Sequence, residues 1–333
     1  MSLLPSAFDP PPWLRSPHLQ SVLASSPLRA ARARRRLRDV AATHAATVLE
    51  VGEGVRLQGV ASRPAGVAPR ALALLLHGWE GSAESSYMRL TAARLLQAGF
   101  AVFRLDFRDH GGSHHLNEGL FHSNRLGEVV GAAQAVARRR PGLPLVAAGY
   151  SLGGNFALRL ALRAPAAGLP LLRVAAVCPL LDPARTMDAM EAGPGFYMRY
   201  FEHKWRRSLV RKRALFPQAH GFGDEVLRLR MRALTAWMVA HNTEFPHLDA
   251  YFDGYSVASD RLQAMPVPAD VLMAEDDPVI PADEFRRIAG FPNVTLELAR
   301  HGGHCGFIEG AALDGYAERW VAAKLAAAVG ADG

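Results

Sequence analysis

Three side chains in this chain have the types and settings that acyl transfer needs: Ser151, Asp277 and His304, each in a glycine- or proline-bounded turn. The serine lies in Gly149-Tyr150-Ser151-Leu152-Gly153, with Gly154 and Asn155 following. An alcohol is a weak nucleophile until a base takes its proton, and a carboxylate behind the base fixes its tautomer and stabilises the imidazolium. The last requirement is a pair of N–H donors aimed at the negative charge that develops on the attacked carbonyl oxygen. The N–H of Leu152, directly after the nucleophile, is the first expected donor. The second is the N–H of Trp79 in His77-Gly78-Trp79-Glu80-Gly81, where the His77 ring is read as a brace for the loop.

These groups converge only if the right elements carry them. The serine pentapeptide follows the apolar run Leu143 to Ala148 and opens the amphipathic stretch Phe156 to Arg163, which reads as strand, sharp turn, helix. Such a turn strains the serine backbone, and glycines two residues to either side remove side chains that would collide. Downstream, an apolar strand over Val271–Ala274 ends in Glu275-Asp276-Asp277-Pro278, and another over Leu296–Ala299 ends in His301-Gly302-Gly303-His304. Both sit past the carboxyl ends of predicted strands, where open α/β sheets place ligands. Asp277 is preferred to Asp276 because it directly precedes the proline turn and projects beyond the strand. Asp182, after the strand Val174–Cys178, is a third candidate acid. His304 is preferred to His301 because the two glycines let the loop turn back towards the sheet.

Elsewhere strands and helices alternate: strand 71–76, helix 86–97, strand 100–106, helix 125–139, strand 144–149, helix 152–163 and strand 173–178. The alternation resumes with strand 270–274, helix 282–289, strand 293–298 and helix 311–327, while Thr47–Val51 and Val55–Ala61 form a hairpin around Gly52-Glu53-Gly54. The expectation is an α/β protein with a mostly parallel central sheet and helices on both faces. An arm over 1–39 packs on the core through Trp13, Leu14, Leu19 and Leu23, the core spans 40–181 and 266–333, and residues 182–265 form a helical lid. Phe196, Tyr200, Phe201 and Trp205 share one helical face of that insertion, and Leu227, Met231, Leu234 and Met238 another; about a third of them are expected to line an acyl pocket.

The chain resembles the α/β-hydrolase family that contains the bacterial YheT-type hydrolases and the animal ABHD1/2/3 esterases. The resemblance is carried by Pro17-His18-Leu19-Gln20, His77-Gly78-x-x-Gly81-Ser82, Asp106-Phe107-Arg108, the serine turn with Asn155, Ala274-x-Asp276-Asp277-Pro278 and His301-Gly302-Gly303-His304-x-Gly306-Phe307. It implies the α/β-hydrolase fold, a Ser151–Asp277–His304 triad and hydrolysis of carboxylic esters, with lipid or short acyl esters as substrates and no cofactor. The sequence departs from the family at the histidine-rich turn Asp109–His115. An acyltransferase would use the same triad and admit a second alcohol or thiol in place of water, and a peptidase would use it on amides. A non-catalytic binding protein of this fold would be expected to lack a triad member.

Composition bounds the partners. The 333 residues carry a formal net charge of +7, almost all of the basicity being arginine, with lysine only at Lys204, Lys212 and Lys324. The clusters Arg29–Arg38 and Arg206–Arg213 read as solvated surface, with at most weak association with anionic membranes; no module or interleaved aromatics suggest nucleic acid. No apolar run approaches the roughly 18 residues of a membrane span, no secretory pattern opens the chain, and Cys178 and Cys305 make no disulfide framework. A cytoplasmic enzyme is the simplest placement. His110, His114, His115 and His122 lack the spacing of a metal site, so no metal is assigned to them.

Overall fold

The computed structural model describes residues 3–330. Its first half runs through β1 (Leu3–Pro5), α1 (Pro17–Ala24), α2 (Pro27–Arg38), β2 (Ala42–Glu50), β3 (Arg56–Pro64), β4 (Ala71–Leu76), α3 (Ser86–Gln97), β5 (Phe100–Asp106), α4 (Leu126–Arg138), β6 (Leu145–Tyr150), α5 (Leu152–Arg163) and β7 (Leu171–Val177). Five helices then follow without a strand: α6 (Pro183–Ala192), α7 (Gly195–Leu215), α8 (Asp224–Arg228), α9 (Met231–Asn242) and α10 (Leu248–Tyr255). The alternation resumes with β8 (Ala269–Ala274), α11 (Phe285–Ile288), β9 (Val294–Ala299) and α12 (Tyr316–Val329).

Among the described residues nine strands form one sheet, in the order β1-β9-β8-β7-β6-β4-β5-β3-β2. Only β3 runs antiparallel to its two neighbours, β2 and β5. Every residue of β4, β6 and β8 is buried. That is why these segments read as unbroken apolar runs: a parallel strand covered on both faces has no solvent side. Helices α3 and α12 pack together on the sheet, as do α4 and α5, giving the α/β-hydrolase fold its helical layer on each face. The order switches between β4 and β6, whose carboxyl ends open the crevice used by the site.

The arm does more than pack. β1 adds a parallel edge strand on β9, in the register Leu3↔Leu296. Leu14 is buried, whereas Trp13, expected beside it, is 53 % exposed. Two charges counted with the solvated clusters lie inside: Arg29 bonds Glu318 of α12 at 2.6 Å, and Lys212 of α7 bonds Asp109 at 2.6 Å. Breaking such a pair leaves an unpaired charge in a low-dielectric interior, at a cost of about 3–5 kcal/mol. Lys212 thereby ties α7 to the loop after β5. Glu202 binds α7 to α9 by accepting from Arg230 and the Met231 N–H. Among the described residues no helix is long and apolar enough to cross a membrane.

Candidate active site

Ser151 sits where β6 passes into α5, with φ 54° and ψ −120°. A non-glycine residue held there stores on the order of 1–3 kcal/mol of strain. The neighbouring glycines make the turn sterically available. A Cβ on Gly149 would lie 1.9 Å from the Gly153 carbonyl oxygen, and one on Gly153 would lie 2.3 Å from that of Leu76. The turn therefore closes only without those side chains, and it lifts the Ser151 hydroxyl above the sheet.

His304 Nε2 lies 2.9 Å from Ser151 Oγ, and His304 Nδ1 donates to Asp277 Oδ2 at 2.8 Å. The other carboxylate oxygen of Asp277 accepts the N–H groups of Val279 and Ile280, at 2.8 and 3.0 Å, which fixes the side chain within the proline turn. Burial pushes the His304 pKa down, but the Asp277 carboxylate, helped by Cys305, more than reverses this and lifts it to about 9. The competing residues have other partners. Asp276 Oδ1 accepts the Gly303 N–H at 2.8 Å and its Oδ2 lies 3.5 Å from His301 Nδ1, so this second acid–histidine pair stands behind the loop. Asp182 caps α6 by accepting the Arg185 N–H at 3.0 Å.

The loop after β4 is held by two buried imidazoles. His77 donates from Nδ1 to the Gly78 carbonyl at 2.7 Å and accepts the Phe107 N–H at Nε2. His110 donates from Nδ1 to the Arg108 carbonyl and accepts the Glu80 N–H at 3.1 Å; burial lowers its pKa to about 4, so it keeps the neutral form that this bond requires. With Gly78 N–H bonded to the Tyr87 hydroxyl, the peptides on either side of Trp79 are spoken for. The N–H groups of Trp79 and Leu152 have no acceptor among the described residues and remain available for an oxyanion.

Two clefts meet at Ser151. The first, about 840 Å³, is lined by Met187, Met190, Trp205, Met231, Met238 and Phe252 together with Leu152 and Ile280. The second, about 1290 Å³, contains His304 and is bounded by Ser21, Ser26, Tyr197, Tyr200 and Lys204. Trp79, Phe201 and Val279 border both and divide them. Of the eight bulky residues singled out in the insertion, Phe201, Trp205, Met231 and Met238 line the first cleft, while Phe196 and Tyr200 line only the second.

The histidine loop leans on the arm. Ser21 Oγ accepts the His304 N–H at 2.8 Å and donates to the Pro17 carbonyl at 2.7 Å. Gln20, fully buried, accepts the Ile308 N–H and donates to the carbonyls of Leu14 and Ile308. His18 meets the Tyr197 hydroxyl at 3.0 Å. The sequence assigns no role in the site to Pro17–Gln20 or Ser21; its one local signal there is the serine–proline helix start at Ser16-Pro17.

His110 braces the Trp79 loop, His114 bonds Ser208, and His122 faces the first cleft, so this set of histidines does not converge. Among the described residues only Cys178, His304 and Cys305 bring three potential ligand atoms together, and both thiols are buried against the histidine.

A family model described as the alpha/beta hydrolase family matches residues 73–319. YheT of Escherichia coli (strain K12), named as an esterase, is 27 % identical over 268 residues, which cover 76 % of this chain and 74 % of YheT. The phospholipase ABHD3 of Mus musculus is 26 % identical over 246 residues, covering 71 % of this chain and 58 % of the mouse protein. In fold, the chain is similar to a Pyrobaculum calidifontis esterase, with a TM-score of 0.59 at 18 % identity over 96 % of this chain and 98 % of that one. A Pyrococcus furiosus esterase gives a TM-score of 0.58 at 16 % identity, over 88 % and 92 % of the two chains.

Proposed function

We propose that this chain, which belongs to the alpha/beta hydrolase family, cleaves carboxylic esters through Ser151, His304 and Asp277. The observation that carries the reading is the unbroken relay of hydrogen bonds from Asp277 through His304 to Ser151, at 2.8 and 2.9 Å, set where two clefts meet. His304 takes the hydroxyl proton as Ser151 attacks the carbonyl carbon, and Asp277 steadies the imidazolium. The oxyanion accepts from the N–H groups of Trp79 and Leu152. As the carbon–oxygen bond to the alcohol breaks, His304 returns its proton to that oxygen, leaving an acyl-enzyme that water hydrolyses by the same steps.

The clefts give the substrate a direction. The leaving alcohol must lie beside His304, which places it in the second cleft, and the acyl chain then extends into the apolar first cleft. Helices α6–α10 act as the lid over 182–265, set on a core of 40–181 and 266–333 with the arm 1–39 behind the histidine loop. Esters with an apolar, lipid-like or short acyl group fit this arrangement. Phe196, Arg199, Tyr200 and Arg207 are exposed along one stripe of α7 beside the alcohol cleft, consistent with weak, salt-sensitive contact with anionic lipid.

Hydrolysis of p-nitrophenyl esters from acetate to palmitate, by wild type and Ser151→Ala in parallel, tests the reading. Turnover by the wild type that disappears in the variant supports it; equal turnover refutes it. The second cleft is also roomy enough for an acyl acceptor larger than water, so transfer of the acyl group to added alcohols is scored from the same reactions.

A further inference from the structure

The first cleft is mostly apolar, and of the polar side chains that line it, which include Ser123, Ser151, Thr235, Tyr251 and Tyr255, two hold buried atoms without partners. His122, 6 % exposed, lines the cleft, and its Nδ1 has no hydrogen-bond partner among the described residues. Thr186, 5 % exposed, lines the same cleft, and its Oγ1 likewise has none. Leaving such atoms unpaired is costly, and native proteins rarely tolerate it without a reason.

Neither residue is idle for want of an alternative. Helical threonines commonly return their hydroxyl to the carbonyl one turn back, and two in this insertion do so: Thr235 to Met231 and Thr243 to Val239, both at 2.8 Å. Thr186 does not, although its own N–H bonds the Asp182 carbonyl in the usual way. The loop bearing His122 is firmly held. Ser123 N–H donates to the Tyr251 hydroxyl at 3.0 Å, Asn124 donates to the Tyr251 carbonyl at 2.9 Å, and Arg159 donates to the Ser123 carbonyl at 2.8 Å. The backbone is thus fixed around an imidazole that no hydrogen bond orients.

We propose that His122 and Thr186 form a polar subsite within the acyl cleft, and that the acyl group this protein takes carries a neutral oxygen substituent, a hydroxyl or ketone, along its chain. The proposal rests on the reading of Ser151 as nucleophile with the acyl chain in the first cleft. Burial, reinforced by Arg125, Arg108 and Arg159, keeps His122 neutral, so the ring offers one donor and one acceptor, and the threonine hydroxyl offers both. That pair suits a hydroxyl or a carbonyl. A carboxylate is disfavoured because no cation among the described residues lines this cleft: Arg159 turns its guanidinium to Ser123 and Asn155, and Arg125 and Arg108 pair with Glu128. Plain alkyl chains would fill the volume and leave both atoms unpaired.

The test uses octanoyl esters, unsubstituted or bearing one hydroxyl, one ketone or a terminal carboxylate, with the neutral oxygen moved carbon by carbon along the chain. For wild type, kcat/KM for the best-placed hydroxyl or ketone should exceed that of the unsubstituted ester by about tenfold, the equivalent of about 1.4 kcal/mol. His122→Phe and Thr186→Val should each bring that ratio to near or below one. Urea midpoints of both variants should not fall, since each removes an unpaired buried polar group; a fall in both midpoints would mean the two atoms have structural partners and would overturn the proposal. So would a wild type that prefers the unsubstituted or carboxylate ester at every position, or variants that keep the wild-type ratio. Ser151→Ala on the same panel separates the two readings: turnover that survives it counts against the nucleophile, whereas turnover that it abolishes without oxygen preference counts against the subsite alone.

Discussion

Replacing Asp277 by asparagine should do more than slow the reaction; it should move the pH profile and change the apparent size of the defect with pH. His304 must be neutral to accept the serine proton, and with its pKa at about 9 wild-type kcat/KM should climb through neutral pH and level off only above that value. Without the carboxylate, only Cys305 opposes the effect of burial on the imidazole, so the limb should fall from about 9 towards the ordinary histidine value of 6.5. The interval from 6.5 to about 9 corresponds to about 3.4 kcal/mol of imidazolium stabilisation, at about 1.36 kcal/mol per pK unit, or roughly 300-fold in rate. An amide that donates to Nδ1 would also fix the wrong tautomer and deepen the loss to about 10⁴-fold. The full loss appears on the alkaline plateau, where both proteins hold a neutral base. Near neutral pH the ratio shrinks, because most wild-type His304 is then protonated. An alkyl ester followed by acid release is the suitable assay, since p-nitrophenyl esters decay by themselves in alkali. A plateau loss under tenfold, or a limb that stays near 9 in Asp277→Asn, would refute the reasoning. Asp276→Asn, which touches the loop from behind, should leave the limb in place.

Met190→Trp should shorten the preferred acyl chain by several carbons, because Met190 lines the first cleft on α6; an unchanged optimum in the p-nitrophenyl series would place the chain elsewhere. Ser21→Ala removes the acceptor of the His304 N–H, so kcat should fall about tenfold with KM nearly constant, in line with the ~1–1.5 kcal/mol of one hydrogen bond. Steady-state kinetics on a single ester decides this. Lys212→Met strands the buried Asp109 carboxylate and should cost about 3–5 kcal/mol in urea denaturation, with Asp109→Asn in the same chain recovering much of it.

Much of this site is legible in sequence because turn chemistry is local. Glycines around Ser151, a proline after Asp277 and paired glycines before His304 each announce a specific bend, and buried parallel strands announce themselves as apolar runs. Pairing across the chain is not local. Spacing alone in Asp276-Asp277 and His301-x-x-His304 leaves the pairing open; the proline and glycine turns favour Asp277 and His304, and the structure pairs those two and leaves Asp276 beside His301. Composition likewise counts Arg29 and Lys212 with the surface charges, because only the fold reveals Glu318 and Asp109 opposite them. The helix expected over 282–289 shrinks to Phe285–Ile288, because residues 282–284 form a bend and turn ahead of it. The three-residue strand β1 is too short for any periodicity to reveal.

The support that Ser21 gives His304 also has a consequence in time. The hydroxyl and the histidine are separated by 283 residues, so a ribosome releases α1 long before the loop it must hold. At the usual ~5–20 residues per second the wait is roughly 15–60 seconds. For roughly the second half of that interval the emerging polypeptide carries the Ser151 turn without the histidine that faces it. On the proposed mechanism, a chain that has not yet reached His304 has no base to activate Ser151, so cleavage waits until the loop bearing His304 meets α1.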